Sequence, residues 1–178
     1  MAKKYMDGTI LKINLSENRI VFGRLLPNRI GIYDLVLYQT APIPSVQEII
    51  AHSIFLYCSV FKDVVTNGTF EMIGFQELVH EDITKIPPKF VQDIVNLNDC
   101  VIFWTDGREL KVAPEDCIGL EPSSAWDSKG LIARIEDHYA GRKNPHVELG
   151  KVILTNDDPR YLNPKARWDF SMEKWVRE

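Results

Sequence analysis

The chain has 178 residues, 45% of them apolar and 26% charged, with 21 basic against 25 acidic side chains and a formal net charge of −4. That length buries enough surface to hold a core without disulfides or metals, and the composition excludes a disordered or fibrous protein. The acidic balance argues against a nucleic-acid binder, and no apolar run approaches the ~18–20 residues of a membrane span.

Residues 9–15 alternate, with Leu11, Ile13 and Leu15 on one face and Lys12 and Asn14 on the other, which predicts a strand. A polar turn at Ser16-Glu17-Asn18 leads to a second strand over 19–26. Pro27-Asn28 separates it from a third over 30–38, rich in Ile, Val and Tyr. The second and third are apolar on both faces, which places them centrally in a sheet or barrel. Pro42 and Pro44 break the pattern, and Ser45-Val46-Gln47-Glu48 is a capping box that opens a short helix. Strand-like segments follow at 53–61 and 68–75, and Ile86-Pro87-Pro88 interrupts a mixed stretch over 76–100. Residues 101–112 read as a hairpin turning at Asp106-Gly107.

The clearest helix spans 128–140. Asp127 is its N-cap, Leu131, Ile132, Ile135 and Tyr139 form its apolar stripe, and Gly141 stands where a C-cap glycine belongs. A last strand is expected over 147–154. The fold class is a β-rich α+β domain, with an N-terminal antiparallel, barrel-like sheet and the helix near 128–140 packed against it. One domain is expected over 1–150, with 151–178 as a C-terminal extension packed on it or contributing to an interface.

Signals for chemistry are few. The histidines (His52, His80, His138 and His146) form no metal motif, and no G-x-S-x-G, P-loop or G-x-G-x-x-G occurs. No catalytic, cofactor or metal site is assigned, and the protein is not expected to be an enzyme. His80-Glu81-Asp82 reads as a surface turn, and the Asn67-Gly68-Thr69 sequon as another. Cys58, Cys100 and Cys117 are odd in number and lack C-x-x-C spacing, as expected of unpaired thiols in a reducing compartment. Residues 1–8 lack the apolar stretch of a signal peptide, so a cytoplasmic protein is expected.

Two charges interrupt apolar strands, Arg24 and Asp34. A three-residue loop over 27–29 would put them on one face as diagonal neighbours, whereas a two-residue loop would not. The favoured reading is a structural ion pair that fixes hairpin register, ahead of a catalytic carboxylate. Acidic residues concentrate in the middle: residues 63–137 hold 15 acidic and 6 basic side chains, the remainder 10 and 15. Glu81, Asp82, Asp106, Glu109, Glu115, Asp116 and Glu121 either form a surface that meets a basic partner or are plain solvated surface. Phe103-Trp104 and Trp126 read as core, while Trp168 and Trp175 sit in a polar tail and are candidate interface anchors.

Several blocks, taken in order, carry a family likeness. Gly8-Thr9-Ile10-Leu11-Lys12-Ile13-Asn14-Leu15, Phe22-Gly23-Arg24 and Tyr33-Asp34 resemble the opening strands of the Immunity protein 26 family. Ile73-Gly74-Phe75, the segments at 114–121 and 134–141, and Trp126-Asp127 resemble later family blocks. Thr9 stands where an acidic residue is expected and Asn14 where proline is; the tail from about Lys151 lies outside the likeness. The resemblance implies an antidote from a bacterial polymorphic-toxin or contact-dependent competition system, acting in the cytoplasm of the producing cell. It would bind a cognate toxin domain and block it without catalysis, cofactor or membrane. Two other readings remain open. One is a nucleic-acid-associated small barrel using Lys3, Lys4, Lys12, Arg19, Arg24 and Arg29. The other is a hydrolase reversing a toxin's modification, which needs a convergent polar pocket that no motif marks.

Overall fold

Three strands carry the start of the chain, as the sequence predicts: β1 (Thr9–Asn14), β2 (Arg19–Leu26) and β3 (Arg29–Tyr38). The computed structural model describes residues 5–66 and 68–177, so Lys3, Lys4 and Asn67 of the sequon lie outside the described residues. Next come α1 (Val46–Ile50), β4 (Ile54–Val60), α2 (Lys62–Thr66), β5 (Glu71–Phe75) and α3 (His80–Thr84). Strands β6 (Lys89–Gln92), β7 (Cys100–Phe103) and β8 (Glu109–Val112) follow, then a 3-10 turn over Pro114–Cys117. The chain ends with β9 (Glu121–Pro122), β10 (Ala125–Trp126), α4 (Ser128–Tyr139), α5 (Pro145–Gly150), β11 (Arg167–Asp169) and β12 (Lys174–Val176). These elements group into two compact units, Met1–Ile86 with Ala125–Glu136, and Pro87–Ser124 with Asp137–Glu178.

The fold is α+β and strand-rich. In the first unit six strands form one sheet in the order β10-β4-β3-β2-β1-β5. β2 and β3 are central, and β2 is buried from Ile20 to Leu26, which accounts for its apolarity on both faces. The sheet is open, which corrects the barrel-like expectation. β5 pairs with β1 and the two-residue β10 pairs in parallel with β4, so the edges do not meet. One face carries the core of Ile10, Ile20, Phe22, Tyr33 and Ile49, with Val46 and Ile50 of α1 packed on it. The capping box is formed as expected: Ser45 accepts from the Glu48 N–H, and the Glu48 carboxylate accepts from the Ser45 N–H at 2.7 Å. A side chain at Gly74 would collide with Val46, so glycine lets α1 lie close on β5.

Helix α4 starts and stops where its caps predict. Asp127 Oδ1 accepts from the Gly130 N–H at 2.6 Å, and Gly141 takes φ +66°. Its apolar stripe is narrower than expected: Leu131 and Ile135 are fully buried, whereas Ile132 and Tyr139 are half-buried. The Ser16 N–H donates to Glu136 at 2.7 Å and ties the helix to the β1–β2 turn.

The second unit holds a sheet of order β8-β7-β6-β9, in which β7–β8 is the hairpin predicted at Asp106-Gly107. Phe90, Cys100, Ile102 and Cys117 form its core. The strand expected over 147–154 is absent; Pro145–Gly150 is helical instead. Asn144 accepts from the His146 and Val147 N–H groups and Pro145 occupies the first turn, a start signal that outweighs the β-propensity of the following Val-Ile-Leu residues. Beyond it, the Gln92 amide bonds both the N–H and the carbonyl of Ile153, at 2.8 and 2.7 Å, and stands in for a strand neighbour.

None of the three cysteines is in a disulfide, and all are buried. Burial and the adjacent Cys100 push the Cys117 thiol up to about 11 from an ordinary 9. Between those values an unfolded chain releases a proton that the folded one keeps, so stability falls as pH rises through this window. Urea titrations at about pH 8.5 and pH 10.5 should show a lower midpoint at the higher pH, and Cys117→Ala should flatten that loss. Ile135→Ala should cost about 2–4 kcal/mol in the same assay, and Ile132→Ala clearly less, because only the first leaves a closed cavity.

Candidate functional site

Arg24 lies in the middle of the most buried strand, and its partners define the site. The turn between β2 and β3 has two residues, Pro27 and Asn28, with Asn28 at φ +58°. That register sets Arg24 opposite Gly31, on the face of Tyr33, while Asp34 falls on the other face and is exposed. The expected Arg24–Asp34 ion pair is therefore not made. Arg24 reaches instead to α3, where its Nη1 meets the Asp82 carboxylate at 3.2 Å. Its Nη2 donates to the backbone carbonyls of Gln76 and Glu77, each at 3.1 Å. Asp82 Oδ2 also accepts from the Val79 N–H at 3.1 Å, so His80-Glu81-Asp82 is a capped helical turn and not a bare surface turn. Nε of Arg24 is buried and has no acceptor among the described residues.

A cavity of about 410 Å³ opens over this pair. Arg24 and Tyr33 line its floor, Tyr57 and Ile54 of β4 one side, and Asp82 and Lys85 another. His52 and Ser53, both exposed, stand at its mouth. Burial pushes the phenols of Tyr33 and Tyr57 above their ordinary 10; Arg24 opposes this at Tyr33, and Asp82 adds to it at Tyr57. Both phenols stay protonated at neutral pH and can donate hydrogen bonds. Lys85 has no carboxylate partner among the described residues. Of these residues, Arg24 is conspicuous in the sequence, and Asp82 stands there only as one of the acidic candidates. Asp82, Tyr33, Tyr57, His52 and Lys85 come from four separate elements, and their meeting depends on the two-residue turn and the path after β5.

The acidic residues divide between the two units. Glu81 and Asp82 belong to the first unit; Asp106, Glu109, Glu115, Asp116 and Glu121 belong to the second. Within the second, Glu109 is on the edge strand β8 and Glu121 on the opposite edge β9, three strand spacings away or roughly 14 Å. Several are engaged locally. Asp82 holds Arg24, Asp106 pairs with Arg108 at 2.6 Å, and Asp116 accepts from the Ala113 N–H at 3.2 Å. Glu81, Glu109 and Glu115 are exposed with no side-chain partner among the described residues.

Trp168 and Trp175 face each other across the β11–β12 hairpin, edge to face at 6.1 Å, and both are half-buried. The exposed aromatic there is Phe170 at the hairpin tip, 81% accessible. Trp126 and Trp104 are half-buried, each under an arginine: Arg134 at 5.0 Å and Arg108 at 5.1 Å from the ring centroid. Among the described residues no helix is long and apolar enough to cross a membrane, and no group of three His, Cys, Asp or Glu is arranged to hold a metal.

Replacing Asp82 should strand a buried cation. Asp82→Ala is expected to lower the unfolding free energy in urea titration by about 2–3 kcal/mol, including the lost cap.

Residues 6–101 match the model of the Immunity protein 26 family. That stretch holds every element from β1 to β6 and all the residues lining the Arg24 cavity. The blocks at 114–121, Trp126-Asp127 and 134–141 lie outside it. No curated protein and no solved structure matches the chain.

Proposed function

The chain belongs to the Immunity protein 26 family, and from that premise we propose that it binds a cognate bacterial toxin domain and neutralises it by occlusion. The family match over more than half of the chain carries this reading. Occlusion needs a complementary surface with a few buried anchors and no catalytic group, which agrees with a sequence free of catalytic motifs. The place of action is the cytoplasm of the producing cell, where the toxin would otherwise reach its target.

On this reading the carboxylates free to meet a basic toxin are Glu81, Glu109 and Glu115, which are exposed and not spent within the fold. Asp82, Asp106, Asp116 and Glu121 add to the negative potential. Phe170, backed by the Trp168–Trp175 pair, is the apolar anchor within 151–178. Co-expression with a toxin domain encoded beside this protein should restore growth, and failure to rescue from any neighbouring toxin would overturn the proposal. With the purified pair, Glu109→Lys plus Glu115→Lys should slow association about tenfold at low salt and flatten its salt dependence. Unchanged association would reduce these carboxylates to solvated surface.

A further inference from the structure

The Arg24 cavity has the make-up of a ligand site, and we propose that it binds a small organic oxyanion, a carboxylate or a phosphate ester. The charge balance points that way. Asp82 is matched by Arg24 at 3.2 Å, which leaves Lys85 as the uncompensated charge facing the cavity. The neutral groups around it can donate: the phenols of Tyr33 and Tyr57 and the Ser53 hydroxyl. Arg24 itself lines the cavity and is 4% exposed, held in place by Asp82 and the Gln76 and Glu77 carbonyls. A fixed guanidinium suits an oxyanion better than any other partner.

The shape adds the organic part. Leu26, Ile50 and Ile54 supply apolar wall, and about 410 Å³ exceeds what a bare inorganic anion fills. A ring or short chain would lie against that wall with its charged end between Lys85 and Tyr57. Asp82 does not repel such a ligand strongly, since Arg24 offsets its charge and Oδ2 also accepts from the Val79 N–H. A cation would meet the Lys85 ammonium, and the one carboxylate in the lining is already offset by Arg24. This inference does not rest on the immunity reading, and its test involves no toxin.

The test titrates the full-length protein with phenyl phosphate, benzoate and the neutral benzamide at constant ionic strength, followed by calorimetry. At least one of the two anions should bind saturably and about tenfold or more tighter than benzamide, the difference expected of charge-assisted hydrogen bonds. The tighter of the two identifies the headgroup. Lys85→Ala and Tyr57→Phe, each at a residue that is not fully buried, should weaken that anion about five- to tenfold while leaving the thermal melt unchanged. Anions that bind no better than benzamide would overturn the proposal. So would wild-type affinity in both variants.

Discussion

A guanidinium in the middle of a fully buried strand constrains much of the first unit. An arginine cannot sit there alone, because removing a charge from water without a partner costs several kcal/mol. The chain leaving β5 therefore has to pass over Arg24, giving it the Gln76 and Glu77 carbonyls and then the Asp82 carboxylate. That path sets where α3 begins, and α3 in turn delivers Lys85 to the cavity. The closeness of α1 to β5, permitted by Gly74, forms the neighbouring part of the same face. One buried charge thus fixes both a loop course and the polar character of the cavity above it.

The second unit uses the same device in a more exposed setting. Arg160 donates to the carbonyls of Glu148 and Lys151, at 2.7 and 2.9 Å, and pairs with Asp158 at 2.6 Å. It thereby satisfies carbonyls left open at the end of α5. These hydrogen bonds hold the Asp158 carboxyl below its ordinary range. Asp137 organises the preceding loop by accepting from Arg142 and Asn144, each at 2.9 Å. In this loop-rich stretch, arginine and carboxylate side chains collect backbone groups that regular structure elsewhere would pair.

These features support two separate roles for the protein's charges. Solvated glutamates set potential and association rate, and their effect is screened by salt. Arg24, Tyr33 and Asp82 work in a water-poor recess, where each hydrogen bond discriminates more strongly. A toxin-binding protein needs only the first kind. The second kind is what turns a structural arginine into a receptor for a small anion.

The sequence by itself determined the local elements. Alternation predicted β1, turn residues and apolar β-forming runs predicted β2 and β3, the capping box predicted α1, Asp127 and Gly141 bounded α4, and Asp106-Gly107 placed the β7–β8 hairpin, because each signal acts within a few residues. It also supplied the family, since ordered short blocks survive without knowledge of contacts. It misjudged 147–154, where Asn144-Pro145 opened a helix ahead of apolar β-formers, and it could not decide sheet closure, which depends on which edges meet. Arg24 was visible as an oddity, but its partner was not. A loop one residue shorter than the ion pair required moved Asp34 to the opposite face, and only the tertiary path after β5 brought Asp82, 58 positions along the chain, to the guanidinium. Side-chain period fixes which face a residue takes, but long-range pairing of charges is decided by where the backbone returns, and no local pattern encodes that.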